Sequence, residues 1–292
     1  MDDLAHVVPW FSSLTHPGRT VAFFRHLHHR TLSGQVNPLS AILLTSIERS
    51  YVNVYSKCPI VVESKSSLCD LEQMGVGHDQ IVQIPPGVDS GAFFPSAKSI
   101  TPLIVYFGGL RRYKRPECVL FVVAKVLNEF PDVECYIIGD GPEAPRLRRL
   151  SKSLGLDGSV RFTGRVSEIE LRSLVSRSWV NLHCSVAEGW CLSALEASSC
   201  GVPTVGFAVP GLRDSVAPGR SGILVNDGDL GALQKAVETV LRNPGAWTES
   251  CRSYALGFGW NKTSSKWLGL LEGVVYGNHD LGPSWASDFG RG

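Results

Sequence analysis

Two stretches decide the fold: Leu103-Ile104-Val105-Tyr106-Phe107-Gly108-Gly109 and Val133-Glu134-Cys135-Tyr136-Ile137-Ile138-Gly139-Asp140-Gly141-Pro142. Each is a short run rich in β-branched and aromatic residues that stops on glycine, the pattern of a buried strand ended by a turn. Between them, Pro116 to Phe130 reads as a helix with proline in its first turn. Strand, helix, strand is the signature of a parallel sheet with right-handed crossovers. Strands apolar along their whole length imply a sheet covered on both faces.

The alternation continues downstream. A basic helix runs to about Leu154, Ser159 to Phe162 is strand-like, and Ser167-Glu168-Ile169-Glu170 is a capping box that opens a helix. Trp179 to Cys184 is a strand, Leu192 to Ser199 a helix, and Val202 to Phe207 and Gly222 to Val225 two more strands. Asp229 to Arg242 is an amphipathic helix stopped by Asn243-Pro244. In such sheets ligands bind beyond the carboxyl ends of the strands. The loops after Phe107, Ile138, Phe162 and Cys184 are therefore the place for a site.

Upstream, residues 1–95 read as part of a second α/β unit. Val21 to Phe24, Pro59 to Val62 and Gln80 to Ile84 are strands, with helices over Asn37 to Tyr55 and Ser66 to Met74. About three strands are few for a self-standing sheet, so an exposed edge and a bare apolar face are expected. Ser90 to Pro102 is a linker. The expected organisation is a partial N-terminal domain over 1–95, a C-terminal domain over 96–275 and a tail over 276–292.

Composition sets the outer limits. The 292 residues are 43% hydrophobic and 19% charged, with 30 Gly and 17 Pro, which excludes a disordered chain or a collagen-like one. Lys plus Arg is 28 against 27 for Asp plus Glu, so there is no basic excess for duplex binding, and no nucleic-acid partner is expected. None of the eight cysteines forms a C-x-x-C pair or a zinc-ligand spacing. Reduced, buried thiols and a cytoplasmic setting are the expectation, with no metal site. No run reaches the roughly 18 apolar residues of a membrane helix.

The densest chemistry is Ser185-Val186-Ala187-Glu188-Gly189-Trp190-Cys191-Leu192-Ser193-Ala194-Leu195-Glu196. It follows a buried strand and opens a helix, whose N-terminal N–H groups suit a phosphate. Gly189 lets backbone approach closely. Glu188 in the loop and Glu196 a turn into the helix could hold hydroxyls at the two ends of a sugar nucleotide. Two acids beside a phosphate need a cation, and Lys114 is the best placed, with Arg111, Arg112 and Arg115 as neighbours. The plain alternative is a capping acid, a core-edge acid and a solvated basic turn.

In combination these residues resemble a family. Glu188-x7-Glu196, followed by Gly201-Val202-Pro203, looks like the E-x7-E signature of retaining GT-B glycosyltransferases, glycosyltransferase family 4. Val105 to Lys114 resembles the family's phosphate-binding strand and loop, and Ile137 to Pro142, Val160 to Gly164, Gly222 to Val225 and Ile84 to Asp89 fall in its order. The resemblance covers roughly residues 4–275. It implies two Rossmann-like parallel-sheet domains, the C-terminal one binding a nucleotide-diphosphate sugar and the N-terminal one an acceptor (a glycan, a lipid-linked molecule or a small molecule). Glu196 would hold the ribose, Glu188 the transferred hexose, and Lys114 the leaving diphosphate, helped by backbone N–H groups of Gly189, Trp190, Cys191 and Leu192. Gly109, Arg111 and Gly139 fall in the other nucleotide-binding stretches. His26, at a strand's carboxyl end, would face the donor sugar, with His28 next. No metal or cofactor is implied; contact with a membrane's cytosolic face is compatible with it.

Three departures stand out. Gly109 replaces a usual arginine, for which Arg111 or Arg112 could substitute. The usual Gly-Phe-Gly-Leu-Pro loop is Gly189-Trp190-Cys191-Leu192-Ser193. No early glycine-rich loop precedes Val7-Val8-Pro9-Trp10, so the N-terminal domain is expected to be incomplete. The reading is a hexosyltransferase, with a truncated, non-catalytic nucleotide-sugar-binding remnant as the alternative.

Overall fold

The computed structural model describes residues 1–4, 11–27 and 36–276. The chain divides into two compact units: Met1–Gly87 with Glu188–Trp190 and the chain from Trp260 onward, and Val88–Ala187 with Cys191–Gly259. Each is built on one parallel sheet.

The first unit has four strands, β1 (Asp2–Asp3), β2 (Ala22–Phe24), β3 (Ile60–Val62) and β4 (Ile81–Gln83), side by side in chain order. The sequence reading predicts the last three and misses β1, since an Asp-Asp pair carries no strand propensity. Asp2 is buried because Oδ2 accepts from the Tyr55 hydroxyl at 2.9 Å and from the Ser12 N–H at 3.2 Å. Ala22, Phe24, Ile60 and Val62 pack on Tyr51, Tyr55 and Leu71 on one face. The other face, Val21, Phe23, Val61 and Val82, is covered by Trp267, Leu270 and Val274 of the Trp260–Tyr276 helix. The Phe23 and Trp267 rings meet edge-on at 5.5 Å. The bare apolar face expected there is thus filled, by a helix that the sequence reading does not name. Its apolar residues recur at helical spacing and fit the alternate residues of β2 and β3.

The second unit carries β5 (Leu103–Phe107), β6 (Glu134–Ile138), β7 (Val160–Gly164), β8 (Val180–His183), β9 (Thr204–Phe207) and β10 (Gly222–Val225) in the order β10-β9-β8-β5-β6-β7. Ile104, Tyr106, Ile137, Leu182 and Val205 face one core with Val119, Val123, Val237 and Val240. Val105, Phe107 and Ile138 face the other with Leu195, Ala197 and Ala255. Ser167 accepts the Glu170 N–H at 3.2 Å, the forward half of the predicted capping box. β5 and β8 are neighbours, Ile104 opposite Val180, so the strand order reverses between them. All eight cysteines are free. Among the described residues no helix is long and apolar enough to cross a membrane.

Candidate functional site

In the second unit the loops after β5, β6 and β7 are tied by backbone bonds: Gly108 N–H to the Ile138 carbonyl at 3.0 Å, Leu110 N–H to Asp140 at 3.0 Å, and Gly139 N–H to Gly164 at 2.8 Å. Two glycines make this possible. A Cβ on Gly139, whose φ is +128°, would sit 2.1 Å from the Gly108 carbonyl oxygen, and one on Gly141 would sit 2.4 Å from that of Leu110. The result is a close-packed floor at the carboxyl ends of the strands, where a doubly wound sheet binds its ligand.

Lys114 ends a 3-10 turn, Arg112–Lys114, above this floor. Its Nζ lies 3.9 Å from where a Gly108 Cβ would stand and 5.7 Å from the Tyr113 ring centre. Arg111 is exposed, and its Nε lies 4.0 Å from where a Gly109 Cβ would stand, so its side chain does lean over the glycine that takes the usual arginine's place. Arg115, read from sequence only as a neighbour of Lys114, anchors the site. Its Nε donates to the Cys184 carbonyl at 2.8 Å, and its Nη2 donates to Ser185 at 2.9 Å and to Asp227 Oδ1 at 2.5 Å. Its backbone is left-handed, φ +45°, which turns the chain from the loop into the Glu117–Val126 helix. The Val186 N–H donates to the Tyr113 carbonyl at 2.8 Å, a second tie between the β5 and β8 loops.

Below the floor sits a group that sequence reasoning passed over. His183, at the end of β8, is buried with Nδ1 3.3 Å from Ser185 Oγ and its ring 6.0 Å from that of Tyr106. Burial, then the nearby Lys114 charge, push its pKa down to about 3. The Tyr106 hydroxyl donates to the Gly109 carbonyl at 3.2 Å. A histidine inside an apolar strand gives no signal of its own until the fold sets it under a loop.

Glu196 lies on the Leu192–Ser199 helix, half-buried, as the spacing predicts. Burial first, then Glu168, raise its pKa to about 7 against the pull of Arg172. Leu192 is exposed at the helix start, where first-turn N–H groups lack helical partners. Cys191 caps this helix, joins the core and has its Sγ 3.3 Å from Ser193 Oγ, the environment of a packing thiol.

Glu188, Gly189 and Trp190 group with the first unit. Glu188 and Trp190 are buried, and a Cβ on Gly189 would stand 2.7 Å from the Arg25 carbonyl oxygen and 3.1 Å from Glu63 Oε2. Here the glycine serves close approach to protein backbone. Arg25 follows β2, with Nη2 3.3 Å from Asp3 and Nη1 3.9 Å from Glu63. Its guanidinium stands 4.8 Å above the Phe23 ring. Burial raises the Glu63 carboxyl pKa, Arg25 lowers it and Asp3 raises it. His26 follows directly, half-buried at the carboxyl end of β2. His28 and His29 lie outside the described residues, as do Val7 to Trp10.

A doubly wound α/β unit with a glycine floor, an adjacent lysine and an acid-bearing helix at its strand ends is the class of parallel-sheet domain that binds a ligand at its topological switch point. The chain belongs to the glycosyl transferases group 1 family, whose model matches residues 93–256. It is similar to the D-inositol 3-phosphate glycosyltransferase of Corynebacterium urealyticum, 28% identical over 239 residues, which are 74% of this chain and 56% of that protein. It is 27% identical to the protein of that name in Mycolicibacterium smegmatis over 275 residues, 87% of this chain and 60% of that one. The chain thus spans about half the length of the curated relatives it matches. Among solved structures, sucrose-phosphate synthase of Thermosynechococcus elongatus superposes with a TM-score of 0.76 at 23% identity, over 89% of this chain and 68% of that one. HepE of Anabaena, crystallised with UDP and glucose, superposes at 0.74 with 19% identity, over 89% and 73%. The shared architecture is GT-B.

Proposed function

We propose that the protein is a retaining glycosyltransferase that moves a hexose from a nucleoside-diphosphate sugar to a hydroxyl of an acceptor, without a metal. The observation that carries this reading is the glycine floor with Lys114 beside it, next to the helix that bears Glu196. Negative charge grows on the diphosphate as the bond to the sugar's anomeric carbon breaks. A fixed ammonium and a helix N-terminus stabilise that charge more in the transition state than before it. Lys114 is assigned to the diphosphate, with Arg111 beside it over Gly109, and Glu196 to the ribose hydroxyls. Glu188 and His26 are assigned to the donor hexose. The leaving phosphate accepts the acceptor's proton on the same face of the sugar, which preserves the anomeric configuration.

The named relatives act on an inositol phosphate, and the Anabaena neighbour holds UDP, so UDP is the first nucleotide to test. A thermal-shift panel of nucleoside diphosphates should show stabilisation by one of them, about 2.7 kcal/mol at 100 times its Kd. Lys114→Ala should then cost turnover of the matching sugar nucleotide while leaving the melting temperature nearly unchanged. A panel in which no nucleoside diphosphate raises the melting temperature refutes the reading.

A further inference from the structure

The second unit has a cavity at the other end of its sheet. Ala97 to Thr101, part of the Ser90 to Pro102 linker, is pinned there: the Ser99 N–H donates to the Arg177 carbonyl at 2.9 Å, and Trp179 Nε1 donates to the Ser99 carbonyl at 3.0 Å. This stretch and the first residues of β5, β6 and β7 line a cavity of about 470 Å³, within the range of small-molecule sites. Leu103 in its wall begins β5, and Phe107, which leads to the glycine floor, ends that strand. Four residues at about 3.3 Å each put roughly 13 Å of strand between the two places.

Three cations, Lys98, Arg161 and Arg177, line the cavity against one acid, Glu134. Lys98 Nζ donates to the Ser176 carbonyl at 3.3 Å and the Gly201 carbonyl at 3.5 Å, so its charge offsets the negative end of the Glu168–Arg177 helix. The two guanidinium groups are left for a ligand. Arg161 stands opposite Tyr136 in the β6–β7 pairing. Its Nη1 donates to the Tyr136 hydroxyl at 3.2 Å, its guanidinium carbon is 5.6 Å from the ring centre, and its Nη2 is 3.9 Å from Glu134 Oε2. Arg177 is exposed, and its guanidinium makes no hydrogen bond or ion pair among the described residues.

We propose that this cavity is a second ligand site, separate from the glycine floor, and that it takes a sugar or polyol phosphate. Guanidinium groups dock phosphate oxygens through paired, charge-assisted N–H bonds. The cavity is far larger than a lone phosphate, and the rest of its wall is of another kind. The Glu134 carboxylate and the Thr101 and Tyr136 hydroxyls suit alcohol groups, and the carboxylate opposes a second phosphate. One phosphate on a body of several hydroxyls meets both halves.

The test titrates the isotope-labelled full chain by NMR with glucose 6-phosphate, and separately with glucose and with inorganic phosphate, at low salt. With glucose 6-phosphate the amide signals of Thr101, Tyr136 and Arg161 should move and saturate, with a Kd of about 1 mM or tighter. Those of Gly108 to Lys114 should stay in place. Glucose and inorganic phosphate should each bind at least about tenfold more weakly. Arg161→Gln combined with Arg177→Gln should weaken glucose 6-phosphate about tenfold or more, with the melting temperature unchanged because both side chains are exposed. No saturating shift by about 20 mM, shifts confined to the glycine floor, inorganic phosphate binding as tightly as glucose 6-phosphate, or a double variant of unchanged affinity overturns the proposal. The shift map of the unsubstituted chain decides the location without either variant.

Discussion

Replacing Glu196 by glutamine should stabilise the fold and weaken the nucleotide, two effects of opposite sign from one carboxylate. Burial and Glu168 raise the Glu196 pKa from 4.5 to about 7, with Arg172 opposing. Between those values the folded chain holds a proton that the unfolded chain has lost, so stability falls as pH rises through that window. At about 1.4 kcal/mol per pH unit the distance from 4.5 to about 7 amounts to roughly 3 kcal/mol. Glu196 is partly exposed, and solvent screening brings the expectation to about 1–3 kcal/mol. Glutamine cannot titrate. Glu196→Gln should therefore match the parent near pH 4.5 and exceed it above about pH 7 by that amount, several degrees at about 2–4 °C per kcal/mol. Under the proposed ribose role the same variant should bind UDP about 1–3 kcal/mol more weakly, the cost of a charged hydrogen bond. Melting curves at about pH 5 and pH 8, with and without UDP, read both effects. A melting temperature that drops at pH 8, or a difference independent of pH, refutes the burial argument; unchanged UDP affinity refutes the ribose role.

Arg115→Ala removes three hydrogen bonds that join the β5 loop to Cys184, Ser185 and Asp227, and should cost about 2–4 kcal/mol by urea denaturation. Gly139→Ala forces a Cβ against the Gly108 carbonyl at positive φ and should cost about 2–4 kcal/mol, a loss that nearby surface substitutions do not reproduce. His183 titrates at about 3 when folded and near 6.5 when not. The folded chain thus binds fewer protons between those values, and stability is lost as pH falls through them. His183→Leu should flatten that acid limb in urea midpoints taken at about pH 4 and pH 7. Trp267→Ala should cost about 3–4 kcal/mol in melting of the first unit, because the ring covers Phe23 and its sheet face.

The second unit was legible because its strands are apolar runs ended by glycine, and Gly139 and Gly141 sit where the carbonyls of Gly108 and Leu110 press on them. Lys114 and Glu196 could be named from their places after a strand and on a helix. Arg115 could not be ranked above Arg111 or Arg112, since only the fold shows which of the basic side chains turns inward to the β8 carbonyls. His183 and Tyr106 look like strand residues, and their place under the loop depends on pairing between β5 and β8. Asp2-Asp3 hid its strand because the residue that makes Asp2 tolerable inside, Tyr55, is far along the chain. The helix over Trp260–Tyr276 had no place in the sequence reading, since amphipathic spacing says that a face is buried, and not against which sheet.

The strand order of the second unit bears on how it folds. β5, β6 and β7 associate through successive local crossovers, as do β8, β9 and β10. Within the sheet the β5–β8 pairing is the one that joins the two groups, and it must close a loop spanning β6, β7 and their helices. Non-local contacts of that kind are slow to form because loop-closure entropy comes before the reward. The two three-stranded halves are thus natural folding subassemblies. A backbone cut between Gly164 and Ser167, between those halves, leaves each with its own crossovers, and the floor and its lysine come together with the β8 strand end only as the seam zips shut.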